Sequence, residues 1–430
     1  VSAQEPLVVG DVHAEGRADG IVLSARLEAP GLGLPSTMWF HYPPSFAPFV
    51  VSNGDPFLPV ALLAAMRHGR RLIIQSDVSS ALLAASSRIM GHYRTRGADE
   101  PRFEQIEIVA ASAPRTRRGR GAGLFFSCGV DSFYTLLGNV ARYPDDDSRA
   151  ISHLVFVHGF DIALEEQGFF ETVRGQVDVV ARALGKTVVP VRTNVRDVLG
   201  RMDWAHHAVG PAMAGVGLSL GWLFHTLFMA SARAFVDLRP VATGCHPGLD
   251  PLWSTETLEF VHAGAEAKKA DKIAAVASSP LALRVLRVCW ENRGGAYNCG
   301  RCEKCLRTMV LLDLHGVLGE TGQFPHRLDA DEVAALDLRV GWWGWLEILA
   351  RVRAAGDRPA LVEAIETALA RRAWTTSPLG RVDAAARRLL AGVGLSPTRL
   401  RGLDRMVLGG RGRRLFGAAR RSLIRARTDT

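Results

Sequence analysis

At 430 residues the chain is too long for one ordinary core, so two or three domains are expected. Its 48% hydrophobic and 22% charged residues are those of a globular protein and exclude a disordered or fibrous chain. The net charge of +9 does not cover the body: ten arginines against Asp404 and Asp429 between Ser396 and Thr430 place +8 of it in the tail.

In chain order, residues 1–112 mix short strand-like runs ("IVLSARLEAP", "LIIQSDV", "FEQIEIVAAS") with one helical stretch, "PVALLAAMRHG". They read as a small N-terminal α/β domain. The opening "VSAQEPLVVGDV" has no basic region followed by an apolar one, so no secretory signal is expected there. Residues 113–122 form a Gly/Arg linker. Its glycines precede the next strand, whereas a dinucleotide fingerprint needs them after it.

From residue 123 strands and helices alternate. "GLFFS" (123–127), "HLVFVHG" (153–159), "TVVPVRT" (187–193) and "PVATG" (240–244) read as strands, with helices over 131–141, about 163–185 and about 211–236. The alternation predicts an α/β fold with a parallel sheet and crossover helices. The run from Ala212 to Ala230 carries only His225 as a titratable group. Its length would suit a membrane span, but its small residues suit a helix packed on a sheet, and a buried helix is the expectation. After Leu306 the chain reads helical, so residues 313–430 are expected to form a helical C-terminal region. Its Arg-rich end can meet RNA, an anionic surface or an acidic partner, or dock as an amphipathic helix on the body.

Four of the six cysteines, Cys289, Cys299, Cys302 and Cys305, lie within 17 residues. That bunching points to a metal site in a reducing cytoplasm rather than to a disulfide framework. Zn²⁺ is preferred because four thiolates close a tetrahedral zinc site; an iron–sulfur cluster can use the same ligands.

The loop Ser127-Cys128-Gly129-Val130-Asp131-Ser132 follows an apolar strand and opens an amphipathic helix. Strand, small-residue turn and helix N-terminus is the geometry that cradles phosphate. No Gly-Lys-Ser/Thr follows, so this is not a Walker loop. It resembles the Ser-Gly-Gly-x-Asp-Ser signature of the PP-loop (N-type) ATP pyrophosphatases, with Cys128 where that superfamily has glycine. Together with Cys…Cys-Gly-x-Cys-x-x-Cys starting about 160 residues later, the chain over 123–312 is similar to the 7-cyano-7-deazaguanine synthase branch.

The resemblance implies a PP-loop/HUP-like fold, ATP and Mg²⁺ as cofactors, a structural zinc, and adenylation of a carboxylate before attack by nitrogen. It implies that Ser127, Cys128, Gly129, Val130, Asp131 and Ser132 hold the pyrophosphate and magnesium. "KKADKI" supplies Lys268, Lys269 or Lys272 to the phosphates, and "TGCHPGLDP" lies near the substrate. His158, after the second strand, is expected at the nucleotide. His206, His207, His246 and Asp250 are expected at a small-molecule acceptor, the first two on a lid that includes Trp204. No glutaminase domain is evident, so free ammonia, an amine or a donor protein must supply the nucleophile. Two rivals are a sulfur-transfer or RNA-modifying enzyme, with Cys128 and Cys245 as thiols, and a non-catalytic ATP-binding sensor or scaffold. Glu165 and Glu166 read as solvated helix residues.

Overall fold

A computed structural model describes residues 5–94, 103–238, 244–338 and 342–376. Among the described residues ten strands form one sheet: β1 (Leu7–Arg17), β2 (Gly20–Glu28), β3 (Thr37–Tyr42), β4 (Leu72–Ser79), β5 (Ile108–Ala113), β6 (Gly121–Phe125), β7 (Ile151–His158), β8 (Thr187–Thr193), β9 (Phe224–Ala230) and β10 (Glu259–Ala263). Their order is β10-β9-β6-β7-β8-β3-β2-β1-β4-β5. The helices are α1 (Leu58–His68), α2 (Ser80–Arg94), α3 (Val130–Arg142), α4 (Gln167–Leu184), α5 (Val195–Leu199), α6 (Val209–Ser219), α7 (Lys269–Ala277), α8 (Pro280–Val285), α9 (Glu303–Leu314), α10 (Ala330–Ala335), α11 (Trp342–Ala355) and α12 (Pro359–Thr376).

Strands β6–β10 are mutually parallel. Leu124 of β6 pairs with Leu154 of β7 and Phe228 of β9, and both leucines are fully buried. Covered on both faces, such strands read as continuous apolar runs. In sequence order the half-sheet runs third, second, first, fourth, fifth strand. The order therefore reverses at β6, the switch point at which open α/β sheets bind ligands beyond their strand ends.

The residues expected to form a separate N-terminal domain supply β1–β5 to this same sheet. The join is an antiparallel contact of β3 with β8, where Phe40 faces Thr193 and His41 faces Arg192. Pro190 lies in β8 away from that short contact, on a stretch where its missing N–H costs no ladder bond to β3. The expected linker is also anchored. Arg115 bonds Asp55 through Nε at 2.7 Å and also pairs with Asp77. The chain divides into two compact units, residues 1–297 with 320–323, and residues 298–319 with 324–430.

A single helix over 211–236 is not what forms. α6 ends at Ser219 and β9 begins at Phe224 within that span, after a turn closed by Leu220 and Gly221 N–H groups on the Gly217 and Leu218 carbonyls. The small residues of α6 still serve close packing: a Cβ at Gly210 would lie 1.6 Å from the Gly244 carbonyl oxygen. Residues 240–243 of the expected strand lie outside the described ones, as does the Arg-rich tail, and Gly244 lies in a bend. No helix among the described residues is long and apolar enough to cross a membrane. The described part of the second unit is helical, with Trp345 of α11 fully buried and its indole donating to Glu303 of α9 at 2.9 Å.

Candidate functional site

β6 ends at Phe125, and the chain turns through Ser127, Cys128 and Gly129 into α3. α3 forms because Val130, Phe133 and Leu136 recur on one buried face, with Asp131 in the first turn only partly exposed. Gly129 is its N-cap and no side chain caps the helix, so its first N–H groups remain available to an anion. Ser132 Oγ donates back to the Gly129 carbonyl at 3.0 Å.

Cys128 holds φ at 59°, the left-handed region that the resembled glycine would take without cost. Its side chain is fully buried near Tyr297, whose hydroxyl donates to the Val285 carbonyl at 2.6 Å. Burial pushes that thiol up to about 12. Burial likewise raises Cys245, with the Asp250 carboxylate adding to it. At neutral pH both are protonated thiols and weak nucleophiles.

Lys269 Nζ reaches both Asp131 oxygens, at 2.5 and 2.6 Å. Lys272, one turn further along α7, lies 3.4 Å from Asp131 and donates to the Ser231 carbonyl at 2.5 Å. The two lysines are three residues apart and so share a helix face. Lys272 is 1% exposed, beside the Tyr134 ring. Lys268 is the exposed N-cap of α7, so Lys269 and Lys272 are the two that reach the loop. Both ammonium groups thus converge on the Asp131 carboxylate at the start of α3, with Glu266 and Asp271 close by at Tyr134.

Arg287, which no motif singled out, adjoins this loop. Its main-chain N–H donates to the Cys128 carbonyl at 2.9 Å, and its Nη2 donates to Asn292 Oδ1 at 2.8 Å.

A cleft of about 880 Å³ opens at the carboxyl ends of β7 and β8. Phe160, Asp161, Thr193, Asn194, Trp290 and Asn292 are among its walls. That volume is in the range of small-molecule sites. Glu165 and Glu166, read as solvated, line it too. His158, expected at the nucleotide, is not among the lining residues. It is fully buried, its Nε2 bonds the Ala163 carbonyl at 2.8 Å, and its ring stacks on Phe170 at 4.3 Å. Burial lowers its basicity, so it is a neutral ring bracing the turn after β7.

The expected acceptor residues fall into one neighbourhood through the Gly244 N–H on the Ala205 carbonyl at 3.3 Å. His206 pairs with Asp203 at the start of a π-helical turn, 3.0 Å away. His207 points inward against Phe103, 5.2 Å between rings, and is 3% exposed, which makes it a packing residue rather than a lid residue. His246 stands against His92 at 5.0 Å. Asp250 is fully buried, accepting from the His246 N–H at 3.0 Å and from His262 Nδ1 at 2.6 Å. Burial raises Asp250 and lowers His246. His262, on β10, was missed by sequence reasoning because it sits inside an ordinary strand pattern.

Cys289, Cys299, Cys302 and Cys305 are all buried, with their sulfur atoms within 4.8 Å of one another. Ligands about 2.3 Å from a tetrahedral ion stand about 3.8 Å apart, and Cys299 and Cys305 Sγ are separated by 3.9 Å. The N–H groups of Cys302 and Cys305 point at the sulfurs of Cys299 and Cys302, at 3.3 and 3.5 Å. None of the four is in a disulfide. This set can hold a metal ion. Arg307, after the cluster, pairs with Glu303 on its own helix at 3.2 Å.

No protein-family model, curated protein or solved structure matches this chain.

Proposed function

We propose that this protein is an ATP-dependent ligase that adenylates a carboxylate, or a similar oxygen, and releases pyrophosphate so that a nitrogen nucleophile can displace AMP. The observation that carries the reading is the uncapped start of α3 at the sheet's switch point, with Asp131, Lys269 and Lys272 gathered on it. In this reading the N–H groups of the first turn and the two lysines hold the triphosphate, and the nucleoside occupies the β7/β8 cleft. The acceptor oxygen attacks the α-phosphorus, the bond to pyrophosphate breaks, and the lysines stabilise the charge that builds on the leaving group. An amine or ammonia then attacks the adenylated carbon, loses a proton, and AMP leaves. Positioning and charge neutralisation supply most of the acceleration.

Asp131 is the carboxylate suited to Mg²⁺. It is about a quarter exposed and would be free to hold the metal once the lysines turned to phosphate. Bound there, Mg²⁺ would neutralise charge on the pyrophosphate. The four cysteines suit Zn²⁺ in a closed structural role. Protonation of Cys128 and Cys245 weighs against the sulfur-transfer alternative. The test is to incubate the full chain with MgATP, ammonium and a pool of cell metabolites, with Asp131→Ala as control. AMP with pyrophosphate, lost in the control, supports the reading; ADP with phosphate rejects it.

A further inference from the structure

The N-terminus of α3 has a second cationic neighbour that the lysine cluster does not explain. Arg287 is 4% exposed. Its Nε is buried without a hydrogen-bond partner, and its guanidinium makes one side-chain bond among the described residues, from Nη2 to Asn292. A buried guanidinium donor left unspent is costly and uncommon. Its position is specific. The main chain of Arg287 is fastened to the Cys128 carbonyl, and its side chain crosses the Phe169 ring of α4, 5.5 Å from the centroid. The tip ends on Asn292, a wall of the β7/β8 cleft that also donates to the Asp161 carbonyl at 3.0 Å.

Arg287 therefore spans from the loop to the cleft. Lys269 and Lys272 approach the same helix start from the other side, where Lys272 holds the carbonyl of Ser231 just after β9. Because β6 lies between β9 and β7, the two cationic groups flank the loop on opposite sides.

We propose that Arg287 is a second anion-binding group of this site: it takes the phosphate that stays with the nucleoside, while the lysines take the pyrophosphate. This rests on the adenylation reading of the loop. The division of labour lets pyrophosphate leave from the β9 side while the adenylate stays fixed at the cleft. Guanidinium suits the retained phosphate because its donors are planar and pre-oriented, and it keeps its charge throughout.

The experiment is calorimetric binding of AMP and of inorganic pyrophosphate to the full chain, comparing wild type with Arg287→Gln and Arg287→Lys. Loss of one charged hydrogen bond predicts AMP binding weakened by about ten-fold or more in Arg287→Gln. Arg287→Lys falls between, and pyrophosphate binding changes by less than about three-fold by the same reasoning. Urea midpoints report folding, and if Arg287→Gln does not fold, Arg287→Lys decides. Unchanged AMP affinity in a folded variant overturns the proposal while leaving adenylation intact, and equal weakening of both ligands overturns the division between the two sides. A wild type that binds neither ligand overturns the adenylation reading and this proposal together.

Discussion

Asp131→Asn separates the two roles assigned to this carboxylate, and the change keeps the side chain's shape. Lys269 Nζ stands 2.5 Å from Asp131. A phosphate oxygen bound to the same ammonium at about 2.8 Å would lie within about 5 Å of the carboxylate. The repulsion between two unit charges there is about 0.8 kcal/mol in water and about 3 kcal/mol at an effective dielectric constant near 20. The pair is about a quarter exposed, with 24% for Lys269 and 26% for Asp131, so a value between these limits applies. Without magnesium, Asp131→Asn should therefore bind inorganic pyrophosphate about ten-fold more tightly than wild type. With MgATP the same variant should lose turnover, having lost its metal ligand. Calorimetry in a chelating buffer gives the first quantity and nucleotide chromatography the second. Equal or weaker metal-free binding in the variant would refute the electrostatic reasoning, because the carboxylate would then be holding the lysines in place rather than competing for them.

Metal removal should destabilise the chain by several kcal/mol, since binding energy at a four-thiolate site is folding energy. Elemental analysis should find about one zinc per chain, fewer in Cys305→Ser, and the melting temperature should fall with it. The Cys128 thiol sits above its ordinary value of 9.0 when folded, so its contribution to stability is whole below that pH and is lost as pH climbs toward about 12. Urea titrations across that window should show a shallower decline in Cys128→Ala. Gly159 has φ of +99°, and an added Cβ would lie 2.0 Å from the Thr193 carbonyl oxygen. Gly159→Ala should cost about 2–4 kcal/mol and disturb the cleft, read as a lower urea midpoint and weaker nucleotide binding; an unchanged midpoint would contradict the packing described.

Some elements were legible because local pattern and tertiary position agree. "TVVPVRT" is bounded by turns and became β8, and the loop at Ser127 followed a buried strand and opened a helix with one apolar face. Lys268, Lys269 and Lys272 were equal candidates in the sequence, and only α7 brings the latter two to Asp131. α6 and β9 were not separable: both are buried on nearly every side, so neither period survives in an apolar run. His158 and His207 looked like loop ligands because the sequence does not show Phe170 stacked on the first or Phe103 packed against the second. Arg287 is one of two arginines in the mostly apolar "LALRVLRVCW", and only the fold brings it to a loop 159 residues earlier in the chain. Residues 1–112 join the central sheet through only two paired positions between β3 and β8, backed by side-chain bonds such as Asn194 to Trp39 and Glu256 to Ser79, and none of these carries a local signature.

The most direct test of the central claim is exchange of radiolabel from inorganic pyrophosphate into ATP, with the full chain, Mg²⁺ and a small-molecule extract. Reversible adenylation predicts labelled ATP that depends on the extract and vanishes in Asp131→Ala. Absence of exchange, with labelled orthophosphate released from γ-labelled ATP, would contradict it.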